Sequence, residues 1–244
     1  MEMGGIFNLD SPLMQWLGKL ADLMWLNILA MICCIPIVTT GASLTALHYM
    51  ALKIVRGEEC YITKGFFKSF KQNFKQATVI WLLILLFVLI LVGDVYIMLN
   101  SGLEFHIVLK GIIIAIGIIM LFAAVYVFPV LAKFDNTIKN TIKNAFIMSL
   151  LQFPKTILMI IMWVVPVVLA VLIPQIFPIC FLFGFSLPAF VSALLYNKFF
   201  QKLEDRVLAE SEPAEEEVIA EEEDERIFKD ELDEALVESQ IEQK

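Results

Sequence analysis

Apolar residues along this chain gather into five long runs, and the segments between them carry lysine, asparagine and phenylalanine at helical intervals. A helix needs about 20 predominantly apolar residues to cross the hydrocarbon layer of a bilayer. Runs at about 12–38, 77–98, 107–130, 156–174 and 176–197 meet that requirement and predict five transmembrane helices. Ser11-Pro12 makes a suitable start for the first. Pro36 and Gly41 interrupt it, and Thr39, Thr40 and Ser43 are placed to satisfy the backbone groups that the interruption frees. Only Pro174-Gln175 and a few apolar residues separate the last two runs, which predicts a hairpin. Pro166, Pro174, Pro178 and Pro188 leave a re-entrant course open for that hairpin. The expected fold is all-α: a polytopic integral membrane helical bundle over residues 1–202, with amphipathic cytosolic connectors, followed by an acidic cytosolic tail over 203–244.

Two connectors stand out. In "KGFFKSFKQNFKQATVIWLLILLF", Phe66, Phe67, Phe70 and Phe74 fall on one helical arc, and Lys64, Lys68, Lys71 and Lys75 on the next. Such a helix presents rings to the acyl boundary and ammonium groups to anionic headgroups of the inner leaflet. A nucleic-acid surface would need a wider basic field, and the adjoining apolar run restricts it further, so no nucleic acid is expected. Lipid contact and partner docking both remain open. In "FDNTIKNTIKNAF", Asn136, Asn140 and Asn144 form one ridge and Lys139 and Lys143 another, with Asp135 four residues before Lys139. That ridge reads either as a solvated face or as a contact between helices or with a partner.

Composition sharpens the class. Hydrophobic residues make up 59% of the 244, more than one soluble core could hide. Charge is split: residues 1–202 hold 14 Lys and Arg against 8 Asp and Glu, a balance of +6, whereas 203–244 hold 4 against 18, a balance of −14. Lys and Arg accumulate on the cytosolic side of spans. Segments 48–76, 131–155 and 198–206 hold 6, 4 and 3 of them, against Lys19 and Lys110 on the alternate side, which predicts the N-terminus outside and the C-terminus in the cytoplasm of a cell-membrane protein. The tail is too acidic to collapse alone, although Phe228, Leu232, Ala235 and Leu236 form a helix-spaced apolar strip. The opening "MEMGGIFNLDSP" has neither a basic region nor a small-residue cleavage site, so the first span is expected to direct insertion.

Candidate chemistry is sparse. Intramembrane polar residues are the usual functional candidates, and here they are Asn27, suited to bonding across helices, and Asp94, close enough to a span end to reach the interface. Asp22 is expected to pair with Lys19, three residues before it on the helix. His48 and His106 read as polar surface residues. Cys33, Cys34 and Cys180 read as neutral packing residues, and Cys60 falls in a cytosolic loop, with no metal-ligand spacing among them. Patterns for hydrolysis, nucleotide or dinucleotide binding are missing, so neither catalytic residues nor a cofactor nor a metal are expected, and an enzyme is disfavoured.

The blocks "LNILAMICCIPIVTTGASLTALHYMALKIVRGEE", "GFFKSFKQNFKQATVIWL" and "VFPVLAKFDNTIKNTIKNAF" resemble, in order, the signature blocks of the YesL family, bacterial membrane proteins defined by a domain of unknown function. The resemblance runs over about residues 5–200, and the acidic tail departs from it. It implies an association with carbohydrate uptake and carries no catalytic residues. The expected role is an accessory or assembly component of a carbohydrate uptake system, with permease subunits as partners; the alternative is a small-solute transporter in its own right. A transporter usually shows matched internal repeats, and the similarity around Pro36, Pro129 and Pro188 is slight.

Overall fold

A computed structural model describes residues 12–58, 61–100 and 106–209. Cys60 and the acidic tail from residue 210 onward lie outside the described residues. The chain divides into two units, residues 1–197 and 198–244. The described part of the second unit is helical.

All regular structure among the described residues is helical. Helix α1 runs Pro12–Cys34, α2 Thr40–Arg56, α3 Ile62–Asn100 and α4 Ile107–Lys133. Then come α5, Ile138–Leu151, α6, Phe153–Leu172, and α7, Phe177–Phe183, followed by α8, Ser186–Ala209. Four of these, α1, α3, α4 and α6, are long and apolar enough to cross a membrane; the pair α7–α8, bent by 57° at its break, makes a fifth if it is one broken span. The bundle of apolar helices agrees with the expected class. Its outer surface is apolar where a soluble protein would be polar: Leu86, Leu89 and Val92 on α3 and Ile114 and Ile118 on α4 are all exposed.

The first break forms where Pro36 cannot continue a helix. Its hydroxyl groups do what their spacing predicts. Thr39 Oγ1 donates to the carbonyls of Cys33 (2.6 Å) and Pro36 (2.8 Å), Thr40 Oγ1 to Cys34 (3.5 Å), and Ser43 Oγ to Ala30 (2.9 Å). The chain then reverses, so α2 returns along α1 as a hairpin.

Helix α2 packs tightly on α3. A Cβ on Gly41 would meet the carbonyl oxygen of Ala77 and lie 2.6 Å from Cβ of Trp81, while Gly65 approaches Sδ of Met50. These pairs, 41 with 77 and 50 with 65, make α2 antiparallel to α3. Gly57 ends α2 at φ 68°, a left-handed position that suits glycine, and Glu58 N–H reaches back to Lys53 O at 3.1 Å. Helix α4 runs antiparallel to α3, with Phe128 beside Trp81 and Gly117 beside Leu91.

Helix α3 is a single helix of 39 residues, longer than a bilayer requires. Its first half carries the basic aromatic ladder and its second half the apolar run. The phenylalanine arc is not uniform: Phe66 is fully buried in the bundle, whereas Phe67 and Phe74 are exposed. Ring contacts of 5.6 to 6.4 Å link Phe66, Phe67, Phe70 and Phe74 along the helix.

Helix α5 begins later than its repeat suggests. Asp135 and Asn136 lie in the connection before Ile138, so Asp135 and Lys139 are not a pair within one helix, and the asparagine ridge on the helix reduces to Asn140 and Asn144. Lys139, Asn140 and Lys143 are exposed and Asn144 is half-buried. The inward face is Thr141, Ala145, Met148 and Ser149.

Candidate functional site

Three polar arrangements involve the candidate residues. The first is built on Asn27. This residue is fully buried on α1 and faces the break between α7 and α8. Its Nδ2 donates to the carbonyl of Phe181 at 2.7 Å, and its Oδ1 accepts from the backbone N–H groups of Phe185 and Ser186 at 2.8 and 2.9 Å. The bent segment frees a carbonyl at the end of one helix and amides at the start of the next. One carboxamide, with two N–H donors and a two-lone-pair acceptor, satisfies three such groups, and its second donor side meets Met31 Sδ at 3.3 Å. The expectation that Asn27 bonds across helices agrees with this geometry. Asp94 takes no part: it is half-buried on α3, about three and a half turns beyond Trp81.

The second arrangement surrounds His48. Sequence position suggested a polar surface residue, but His48 is only 3% exposed. Tyr196 places its hydroxyl 3.4 Å from Nδ1, and the Trp163 ring lies 5.9 Å from the imidazole. The burial comes from α6 and α8, more than a hundred residues further on, and nothing local to His48 signals it. Leu44, Val125, Phe128 and Trp163 complete a cavity of about 150 Å3 beside the ring. Arg56, two turns further along α2, donates through Nε to Asn197 Oδ1 at 2.9 Å. His106 differs: it is exposed and caps α4, its Nδ1 accepting from Val108 N–H at 3.3 Å.

Burial pushes the His48 imidazolium down to about 3 from an ordinary 6.5, so the ring is neutral at physiological pH. An unfolded chain therefore binds more protons below pH 6.5 than the folded one, and stability falls as pH drops from about 6.5 towards 3. At about pH 5 the expected loss is on the order of 2 kcal/mol. Melting temperatures of the detergent-solubilised protein should fall more steeply with acid for the wild type than for His48→Gln; parallel curves would refute the assignment.

The third arrangement lies at the outer surface. Asp22, Trp25, Thr63, Lys64, Phe67 and Lys68 contribute to an open groove of about 920 Å3 between α1 and the first half of α3, which Lys71 extends. Trp25 Nε1 donates to Thr63 Oγ1 at 2.9 Å, and Trp81 Nε1 donates to Ile37 O at 2.7 Å. These two bonds tie the middle of α1 to the start of α3 and its far turn to the middle of α3, so α1 and α3 run in the same sense. The sequence reading puts Asp22 at the outer mouth of the first span, away from Lys64–Lys75; here Asp22 and Lys64 line one groove. That reading assumes that each apolar run crosses once and ends on the other side, whereas α1 turns back at Pro36 into α2. Nor does Asp22 pair with Lys19, whereas Lys53 pairs with Glu58 at 3.2 Å.

The structure thus brings Lys64, Lys68, Lys71 and Phe67 together with α1, leaves Lys75 and Phe74 exposed further along α3, and keeps the α5 residues apart as a separate exposed face. Trp25 belongs to the groove although the sequence did not single it out; its position three residues after Asp22, on the same helical face, was the available signal. No cluster of His, Cys, Asp or Glu able to hold a metal occurs among the described residues.

These features define an all-helical bundle with four or five helices long and apolar enough to cross a membrane, in which Asn27 is engaged in holding helices together. A family described as "Protein of unknown function, DUF624" matches residues 23–95, the stretch that contains α2, the basic ladder and most of the apolar run of α3. No curated protein and no solved structure matches the chain.

Proposed function

We propose that this chain is a non-enzymatic accessory or assembly component of a membrane transport system. The observation that carries the reading is the engagement of Asn27, the deepest polar candidate, by the backbone of α7 and α8. A solute ligand inside a bundle needs free donors or acceptors, and this one has none to spare. The accessible polar chemistry is instead on the basic ladder and on α5. Resemblance to the YesL family supplies carbohydrate uptake as the system and permease subunits as the partners. We place the ladder, α5 and the C-terminus on the cytoplasmic side of the cell membrane, following the excess of Lys and Arg there. The middle of α1, at Asp22 and Trp25 beside Lys64 and Lys68, goes with them, in contrast to the outside placement that charge counting alone suggested.

Transport by the chain itself is a second reading, favoured by the 57° break between α7 and α8, since broken helices line many transporter sites. Crosslinking in native membranes, followed by gentle solubilisation and mass spectrometry, separates the two. The accessory role predicts recovery of sugar-permease subunits, reduced when Lys68, Lys71, Asn140 and Asn144 are replaced by alanine. Recovery of the protein alone would overturn it.

A further inference from the structure

The groove between α1 and α3 has two unlike walls. On α3, Lys64, Lys68 and Lys71 stand at intervals of four and three residues, so their ammonium groups project from one face. On α1, Asp22 faces the same space. Thr63 Oγ1 already accepts from Trp25, which leaves the hydroxyl proton of Thr63 free to donate outward. Phe67 and Trp25, both exposed, supply an apolar lining beside these charges. With three cations and one carboxylate, the groove carries a formal charge of +2.

We infer that this groove is a binding site for an anionic phospholipid with a hydroxyl-bearing headgroup, of the phosphatidylglycerol type. The phosphodiester meets the three ammonium groups and the Thr63 hydroxyl, all donors, and the headgroup hydroxyls donate to the Asp22 carboxylate, an acceptor with four lone-pair sites. The acyl chains lie along Phe67 and Phe74, exposed on one face of α3. Charge complementarity selects an anionic lipid over a zwitterionic one. Asp22 adds a second selection: the glycerol headgroup presents hydroxyl donors with no further charge, whereas the serine headgroup brings a carboxylate beside its ammonium and phosphatidylcholine brings no donor. This site deepens the lipid-facing reading of the basic ladder and does not depend on the permease partner.

The test uses the full chain in detergent, mixed with equimolar phosphatidylglycerol, phosphatidylserine, phosphatidylethanolamine and phosphatidylcholine, then freed of excess lipid and analysed by mass spectrometry for what it retains. Phosphatidylglycerol should be enriched several-fold over each of the others. Lys64→Ala/Lys68→Ala/Lys71→Ala should lower its retention roughly tenfold or more, since each lysine near an anionic surface contributes a few-fold in affinity. Asp22→Asn should abolish the preference for phosphatidylglycerol over phosphatidylserine while both anionic lipids stay bound. Equal retention of the two anionic lipids by the wild type would overturn the site and leave only general anionic attraction. A preference unchanged in either variant would also overturn it. So would indifference to lipid combined with loss of a copurifying protein in the lysine variant, which would make the groove a protein-docking surface. Because the lipid assay reads what the purified chain retains and not permease recovery, its failure is distinct from failure of the accessory role.

Discussion

Replacing Asn27 with leucine is expected to destabilise the bundle by roughly 2–5 kcal/mol, because three backbone groups lose their partner where hydrocarbon offers no other. The carbonyl of Phe181 and the amides of Phe185 and Ser186 sit at a bend, so they cannot return to an uninterrupted helical ladder without straightening α7 and α8. Asn27→Asp keeps an acceptor for the two amides but removes the donor to Phe181, and should fall between leucine and wild type. Thermal unfolding of the solubilised protein reads the series directly. Were Asn27 a solute ligand and not a clamp, the leucine variant would melt with the wild type and lose only function.

Gly41→Ala should be nearly as damaging, and Gly41→Val more so. The added carbon would meet the Ala77 carbonyl and Cβ of Trp81, atoms at or next to the backbone that cannot turn aside. Separating α2 from α3 to make room also strains the 2.7 Å bond from Trp81 to Ile37 that fixes the α1–α2 turn. Overpacking of this kind costs on the order of 2–3 kcal/mol for alanine. Gly65→Ala is the matched control. Its added carbon would lie 2.6 Å from the sulfur of Met50, the outer part of a flexible side chain, so its melting temperature should fall far less. Equal losses at the two glycines would show that the backbone contact at Gly41 is not the cause.

Features that obey local rules were legible in the chain. The break at Pro36 follows from a residue that cannot donate to a helix, and the hydroxyls at Thr39, Thr40 and Ser43 lie within reach of the carbonyls it frees. The division of α3 into a basic aromatic half and an apolar half is a change of pattern along one helix. Features set by distant packing were not legible. His48 looks like a connector residue until Trp163 and Tyr196 close over it. The prolines of the final hairpin announce an irregularity, yet the bend falls at Gly184-Phe185, where Asn27 takes up the freed groups. That Asn27 would bond across helices was readable from its depth in an apolar run; that its partners lie more than 150 residues away was not. The groove escaped for a related reason. Charge counting treats each apolar run as a complete crossing, and two bonds from tryptophan side chains show that α1 keeps company with the start of α3.

The central claim is that Asn27, the deepest polar candidate, clamps helices together and does not serve a solute. Purified full-length protein should therefore be reconstituted alone into liposomes and tested for uptake of radiolabelled mono- and disaccharides against protein-free vesicles. The account predicts no uptake above the vesicle background. Saturable uptake by the isolated protein, abolished by Asn27→Asp or Asp94→Asn in variants that remain folded, would contradict it.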